Sequence, residues 1–209
     1  MDNFSVLSWN ACGLAAHVDY LIIFLLNSNI SPDIICIQET HLVVDSVGIP
    51  GYTGIFKHRV NRRGGGVAIF VKSNLVFTAI LIQDLEAVGV QILSDNGFSI
   101  TCLTVYSPPT VKLKLETLLE KLGDSTIITG DFNAKNTLWG SQNTDRKGNY
   151  LENTFANVNL ICLNNKEGTR INNNGTLSCL DLVYATPNLA SRCSFSVCQT
   201  PWGVTICQS

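Results

Sequence analysis

Short, continuously apolar runs of the β type constrain the fold of this chain most strongly. Runs such as "DIICIQ", "GVAIFV" and "TIITG" place apolar or β-branched residues next to one another, without the alternation of a half-exposed strand. Strands that are apolar on both sides need to be covered on both sides. We therefore expect buried sheets inside a layered fold.

The order of the expected elements narrows the fold class. We expect strands over residues 4–9, 34–38, 67–71, 75–82, 87–93, 98–106, 126–130, 180–184 and 192–198, and helices over 17–28, 111–122 and 147–158. Because strands and helices do not alternate strictly, the pattern favours an α+β fold with two packed sheets and helices outside. A length of 209 residues fits one core.

Charge restricts how such a chain can hold a polyanion. With a net charge of −2, the protein has no general attraction to nucleic acid, so binding of a polyanion would depend on a local cluster of basic residues. One loop concentrates positive charge just before Gly64-Gly65-Gly66. Its basic residues are Lys57, Arg59, Arg62 and Arg63. They fit either a solvated hairpin loop or a local phosphate contact.

The cysteines and the N-terminal sequence indicate the cellular compartment in which the protein is expected. The 8 cysteines show no CxxC spacing, and most lie inside apolar runs, which favours reduced, buried thiols. The start "MDNFSVLSWN" lacks a basic segment followed by an apolar one, and no apolar run approaches the length of a membrane span. We expect an intracellular protein with no membrane association.

Polar residues interrupt the apolar strands at their ends or inside them. They are Asn10, Glu39, Tyr106, Asp131, Asn133 and Asp181. Each one alone is compatible with a turn, a helix cap or ordinary packing. Asp181 is harder to explain in that way, because a carboxylate between Leu180 and Leu182 is costly to bury without a partner.

Together these residues suit phosphodiester hydrolysis assisted by a hard divalent cation. Mg²⁺ prefers oxygen ligands and keeps several waters, and Glu39 and Asp131 are candidate ligands. The reaction also needs an oriented water and stabilisation of charge on the phosphoryl oxygens. Asp131 is a candidate for orienting water, whereas Asn10, Tyr106 and Asn133 are candidate donors to the phosphate.

A series of motifs carries a family resemblance. In chain order they are "SWNACGL", "IQET", "GGGVAIF", "VYSPP", "GDFNAKNTLWGS", "GT" and "SCLDLVY". This series resembles the endonuclease/exonuclease/phosphatase superfamily, and within it the apurinic-type endonuclease domain of non-LTR retrotransposons of the jockey and I-element type. The resemblance implies a four-layer α/β/β/α sandwich, in which two mixed sheets pack between helices and the site lies at one end.

The resemblance also implies roles for single residues. Catalytic positions match Asp131, Asn133, Tyr106, Asp181 and Asn10, and metal positions match Glu39, Asp131 and Asn10, with Mg²⁺ expected and Mn²⁺ as a substitute. Thr169 matches a position near the DNA phosphate, beside the basic residues Lys57, Arg59, Arg62 and Arg63. The implied function is a monomeric nuclear enzyme that nicks DNA for target-primed reverse transcription, with a reverse transcriptase downstream in the parent element.

Two departures from the family pattern give rise to an alternative. Cys12 stands where some relatives carry an acidic or amide group. After "TPWG" the family continues with Ser-Asp-His and an apolar strand, but this chain reads "VTICQS". We therefore expect a domain over residues 1–203, a divergent tail over 204–209, and no last core strand or catalytic histidine.

The alternative function is accordingly a truncated, non-catalytic remnant with at most weak nucleic-acid binding. Neither His17, His41 nor His58 is expected to replace the missing histidine. We expect slower nicking than from a version that is extended by the missing segment.

Overall fold

Fourteen strands and four helices make up the described part of the protein. The structure is a computed structural model that describes residues 4–60, 62–93, 97, 99–171, 177–198 and 204–208. The strands are β1 (Ser5–Asn10), β2 (Ile34–Gln38), β3 (Tyr52–Lys57), β4 (Val67–Lys72), β5 (Phe77–Leu81), β6 (Glu86–Leu93), β7 (Ser99–Tyr106), β8 (Thr126–Asp131), β9 (Ile161–Cys162), β10 (Arg170–Ile171), β11 (Leu177–Ser178), β12 (Asp181–Ala185), β13 (Ser194–Cys198) and β14 (Val204–Gln208). The helices are α1 (Leu14–Ser28), α2 (Glu116–Leu119), α3 (Arg146–Asn157) and α4 (Pro187–Ala190), with a 3-10 helix at Thr137–Trp139.

Two mixed six-stranded sheets form the centre of the fold. The first sheet has the order β13-β14-β1-β2-β4-β3, and β1 pairs with β2 in parallel. The second has the order β5-β6-β7-β8-β12-β9, and β7 pairs with β8 in parallel. The short hairpin of β10 and β11 stands apart from both sheets.

Three apolar clusters separate the layers. The middle cluster joins residues of both sheets, including Ile34, Val90 and Ile127, so the sheets pack face to face. A second cluster packs Leu14 and Leu21 of α1 against the first sheet, and a third packs Phe155 of α3 against the second. The α+β four-layer sandwich expected from the sequence is thereby confirmed.

The last core strand corrects one part of the expected fold. Instead of being absent, the strand beside β1 is formed by β14, which pairs antiparallel with both β1 and β13. Val204, Thr205 and Ile206 are β-branched and favour the extended backbone, and their pairing covers an edge that β1 would otherwise expose. The boundary proposed at Gly203 lies outside the described residues and stays a prediction.

Other elements differ from the sequence expectation in detail. Strand β3 was not predicted. Helix α2 is limited to Glu116–Leu119, because the segment before it buries Leu113 and Leu115 at the two-residue spacing of an extended chain. The turn expected at residues 172–175 lies outside the described residues. None of the described helices has the length and apolar character needed to cross a membrane.

Candidate active site

Strand ends from both sheets carry the site. Parallel pairing brings Asn10 of β1 level with Gln38 of β2, and Tyr106 of β7 level with Asp131 of β8. Antiparallel pairing then places Asp181, the first residue of β12, opposite Asp131. The polar residues expected at separate strand ends are therefore brought to the same end of the sandwich.

Asn10 joins the two sheets at this end. Its Nδ2 donates to Glu39 Oε1 at 2.8 Å and to Asp131 Oδ2 at 2.9 Å. Its Oδ1 accepts from the backbone N–H of Cys12 at 3.1 Å, which fixes the orientation of the amide. One amide group thus holds the two carboxylates that the sequence analysis assigned to a metal.

Glu39 follows β2 directly and has a left-handed backbone with φ 51°. Its carbonyl accepts from Gly13 N at 2.8 Å, so the loop after β2 is tied to the loop after β1. The side chain is 18% exposed, and its Oε2 lies 3.3 Å from His41 Nε2. A carboxylate in this setting is held in place and still open to solvent on one side.

Asp131 is 1% exposed and faces a second buried carboxyl, Asp181. Burial raises the pKa of Asp131 well above its usual range, and the nearby Asp181 and Glu39 raise it further. The hydrogen bonds from Asn133 N and Asn10 oppose this shift. Because neither aspartate has an ion-pair partner among the described residues, the site holds excess negative charge that a cation would neutralise.

The turn after β8 depends on two unusual backbone conformations. Gly130 has φ +154°, and a Cβ there would lie 1.9 Å from Val105 O, so only glycine lets β8 approach β7 at this point. Asn133 has φ 45°, and its backbone N–H donates to Asp131 Oδ1 at 2.9 Å. The "GDFN" motif therefore shapes the backbone that holds the Asp131 carboxylate.

Tyr106 borders the carboxylates from β7. Its side chain is 6% exposed. Burial raises the pKa of Tyr106 to about 12, with further contributions from Glu39 and Asp131, while Arg59 opposes the shift. The phenol is therefore protonated near neutral pH and can donate a hydrogen bond.

Asp181 and Thr169 lie together under this end of the second sheet. The Thr169 hydroxyl accepts from the backbone N–H groups of Leu180 and Asp181, both at 3.2 Å. Burial raises the pKa of Asp181, and Thr169 and Arg170 oppose that effect. Asp181 Oδ1 is buried and has no hydrogen-bond partner among the described residues, so this oxygen is available to a group that approaches the site.

The basic loop divides into two parts. Lys57 Nζ donates to the carbonyls of Ile82 and Leu85, and Arg59 Nε donates to Glu86 Oε1 at 2.6 Å. These two side chains are used within the protein. Arg62 and Arg63 are exposed.

Sequence reasoning did not find Lys147, which borders the same end of the sandwich. Its Nζ donates to the carbonyls of Ser107 at 3.1 Å and Pro108 at 2.9 Å. Burial lowers the pKa of Lys147 to about 8, although Asp131 and Asp145 act in the opposite direction. No local signal marks this residue, since a lysine in the first turn of a helix is ordinary.

The donor set fits a hard cation that retains much of its water. No group of three or more His, Cys, Asp or Glu side chains suited to a metal occurs within the described residues. Two carboxylates, from Glu39 and Asp131, nevertheless converge on the Asn10 amide. Mg²⁺ is bound in many proteins through one or two carboxylates plus water, so the small number of ligands suits it.

Comparison with known proteins places this geometry in context. The endonuclease-reverse transcriptase family matches residues 100–203. The chain is 32% identical over 157 residues to the RNA-directed DNA polymerase from mobile element jockey of Drosophila melanogaster, a match covering 71% of this chain and 17% of that protein. A probable RNA-directed DNA polymerase from transposon X-element, also of Drosophila melanogaster, is 27% identical over 162 residues, covering 73% of this chain and 17% of that protein. The chain thus spans about a sixth of the length of these relatives.

Solved structures agree on the fold. The endonuclease domain of TRAS1, a telomere-specific non-LTR retrotransposon, superposes with a TM-score of 0.78 at 22% identity, covering 99% of this chain and 97% of the other. The AP endonuclease LMAP from Leishmania major superposes with a TM-score of 0.77 at 16% identity, covering 99% and 87%.

The chain is therefore similar in sequence to the endonuclease-reverse transcriptase family and to proteins of non-LTR retrotransposons, and its fold is that of a retrotransposon endonuclease domain.

Proposed function

We propose that this chain is a Mg²⁺-dependent DNA endonuclease domain that hydrolyses one phosphodiester bond, leaving a nick at which reverse transcription is primed. The observation that carries the proposal is the convergence of Asn10, Glu39 and Asp131 at one end of the sandwich, joined by two hydrogen bonds from a single amide. Asp181 and Tyr106 border the same point.

Asp131 is the proposed base that positions and deprotonates the attacking water. Its raised pKa makes it a stronger base than an ordinary carboxylate, and the value falls when a cation neutralises the site. Asn133 N and Asn10 Nδ2 hold its two oxygens, so the carboxylate keeps one orientation as the proton moves to it. The leaving oxygen must also receive a proton. The Oδ1 atom of buried Asp181 is proposed to orient the group that donates this proton.

Tyr106 and the amide of Asn133 are proposed to face the phosphate, whereas both N–H groups of the Asn10 amide are used by Glu39 and Asp131. A phenol that stays protonated donates a hydrogen bond to a phosphoryl oxygen as negative charge develops there. The residues that would hold the metal are Glu39, Asp131 and Asn10. When bound, Mg²⁺, or Mn²⁺ in its place, supplies positive charge to the phosphoryl oxygens.

Contacts to the DNA backbone are proposed for Arg62 and Arg63, which are exposed in the loop that borders the site. Such contacts position the enzyme without reading sequence. Thr169 is proposed to lie close to the phosphate, with its hydroxyl oxygen accepting from two backbone N–H groups. Lys57 and Arg59 are held within the protein, and they are proposed to add positive charge to the DNA-binding surface without contacting the DNA themselves.

Conversion of supercoiled plasmid to open circles in Mg²⁺ tests the proposal. We expect nicking by the wild-type chain, loss of nicking with a chelator, and at least about a hundredfold lower rate for Asp131→Ala. Glu120→Ala, a change at an exposed carboxylate after α2, serves as the matched control and should nick at the wild-type rate. Equal rates for Asp131→Ala and wild type would contradict the assignment.

A second candidate function, nucleic-acid binding without cleavage, is favoured by one observation: Asp181 Oδ1 has no hydrogen-bond partner among the described residues. Plasmid that is retained on a filter in Mg²⁺ but never nicked would support this alternative. For the intact parent element, we propose a downstream reverse transcriptase, action in the nucleus and a monomeric endonuclease domain.

A further inference from the structure

Arg59 is not an ordinary surface arginine of the basic loop. Its Nε donates to Glu86 Oε1 at 2.6 Å, and the side chains of Arg59 and Glu86 are only 11% and 19% exposed. The other carboxylate oxygen, Glu86 Oε2, accepts from Gly66 N at 2.8 Å. Arg59 is thus fixed by a carboxylate that is itself fixed by the backbone of the triple glycine.

The backbone of the triple glycine leaves no room for side chains beside this arginine. A Cβ on Gly65 would lie 2.2 Å from Arg59 Cζ, and the φ of +67° there also disfavours a side chain. A Cβ on Gly66 would lie 2.6 Å from Thr40 Oγ1, with φ +81°. The backbone at Gly65 packs against the guanidinium and the backbone at Gly66 packs against the Thr40 hydroxyl, and only glycine permits both approaches.

The same backbone holds the loop that carries Glu39. Gly66 O accepts from Thr40 N at 3.2 Å, and Gly65 O accepts from His41 N at 2.8 Å. On its other side, the guanidinium carbon lies 5.4 Å from the centre of the Tyr106 ring. Tyr106 and Glu86 are direct partners across β6 and β7. Arg59 therefore contacts Tyr106 directly. Through the backbone of Gly65 and Gly66 it also supports the loop that carries Glu39.

We propose that Arg59, held by Glu86 and Gly65-Gly66, is a positioning residue that fixes the ring of Tyr106 at the nuclease centre. The proposal rests on the proposed function and adds to it a role for the glycine motif. Stacking on an aromatic ring and a fixed planar fork are properties that arginine has and lysine lacks. The buried Arg59 Nη2 has no hydrogen-bond partner among the described residues, so the guanidinium adds positive charge beside the Tyr106 ring.

A double-mutant cycle in the plasmid-nicking assay tests this role. We expect Arg59→Met to lower kcat by about ten- to a hundredfold and to change KM by less than about threefold, because the loss is one of orientation. In a Tyr106→Phe background, Arg59→Met should cost less than about threefold more, since both act through the same hydroxyl. Full multiplication of the two effects, or a rise in KM alone, would overturn the proposal in favour of a direct DNA contact.

Two further variants keep the test decisive if Arg59→Met unfolds. Arg59→Lys keeps the charge and should nevertheless lower kcat as Arg59→Met does. Full activity of Arg59→Lys would show that charge alone matters. Gly65→Ala leaves Arg59 in the chain but displaces its guanidinium, and it should reproduce the kcat loss. Arg192→Met, at an exposed arginine beyond α4 whose Nε donates to Asn188 O, is the matched control and should nick normally.

An assay without catalysis separates this proposal from the proposed function. In NMR spectra of the protein with labelled tyrosine rings, the Tyr106 signal is assigned by its loss in Tyr106→Phe. Arg59→Met should shift or broaden that signal and leave the other tyrosine signals in place, whether or not the protein nicks DNA. An unchanged Tyr106 signal would refute the positioning role even in an active nuclease, whereas a shifted signal in a protein without nicking would refute only the proposed function.

Discussion

Replacing Asp131 by asparagine should stabilise the protein while it abolishes nicking. The carboxyl group is 1% exposed, faces Asp181 across the strand pair and has no ion-pair partner among the described residues. Burial and the neighbouring Asp181 raise its pKa, so the folded state binds its proton more tightly than the unfolded state does. By linkage, the protein loses stability as pH rises above the ordinary aspartate value of about 4.

The size of the effect follows from two opposing terms. Each unit of pKa corresponds to about 1.4 kcal/mol, and the pKa of Asp131 is raised from its ordinary value of about 4 to about 8, so ionising this carboxyl costs the wild type about 4–6 kcal/mol at pH 8. Asparagine has no such cost and can still accept from Asn133 N. It loses the bond from Asn10 Nδ2, because two amide donors then face each other, at a cost of about 1–2 kcal/mol. The expected net gain is about 3–4 kcal/mol, or about 6–16 °C in Tm.

Urea unfolding in a chelator, measured at several pH values, checks this prediction. The advantage of Asp131→Asn should be small at pH 4 and should grow toward pH 8. Mg²⁺ should then raise the stability of the wild type more than that of the variant, because the variant lacks a proposed ligand. Asp19→Asn, at an exposed position of α1, is the control and should change stability by less than about 0.5 kcal/mol. A variant that is no more stable than wild type at pH 8 without metal would refute the reasoning.

Three further outcomes are expected. Because burial lowers the pKa of Lys147 to about 8 from 10.5, the charged form is disfavoured in the fold, and urea unfolding should show wild type gaining on Lys147→Met as pH rises between those values; parallel pH profiles would contradict this. Gly130→Ala should lose at least about 3 kcal/mol in the same assay, because its Cβ would lie 1.9 Å from Val105 O at φ +154°, and a near-neutral result would show that the two strands separate easily. Thr169→Val should lose about 1–3 kcal/mol since two buried N–H groups lose their acceptor, whereas Thr169→Ser, which keeps the hydroxyl, should stay close to wild type, and a near-neutral Thr169→Val would contradict the role of the hydroxyl.

The sequence predicted the site where local rules were sufficient. Continuous apolar runs indicated buried strands, and polar residues at their ends, such as Tyr106 and Asp131, come together where those strands pair in parallel. The α+β fold class follows from the pattern of strands and helices, whereas the position of the site at one end of the sandwich was implied by the family resemblance. The family resemblance supplied the roles, which the arrangement of strand ends alone does not distinguish.

What the sequence did not reveal depends on contacts between distant residues. Arg59 was grouped with Arg62 and Arg63 because charge density is a local property, yet its partner Glu86 lies 27 residues away. Lys147 is ordinary in sequence and becomes unusual only where its ammonium meets the carbonyls of Ser107 and Pro108. The strand β14 was overlooked because its letters depart from the family, although its β-branched residues fit the same place in the sheet.

The backbone conformations and the charges of this site are both energetically unfavourable and must be held in place by the surrounding structure. Four non-glycine residues in the loops after β1, β2 and β8 have positive φ: Cys12 at 45°, Glu39 at 51°, His41 at 54° and Asn133 at 45°. Such conformations are unfavourable by about 1 kcal/mol or more each for most residues and persist only where surrounding structure holds them. Here hydrogen bonds between the loops, including Gly13 N to Glu39 O and His41 N to Gly65 O, hold the backbone against that cost. The backbone strain of the loops and the repulsion between Asp131 and Asp181 are therefore held by the same framework, which is the paired strands and the hydrogen bonds between the loops.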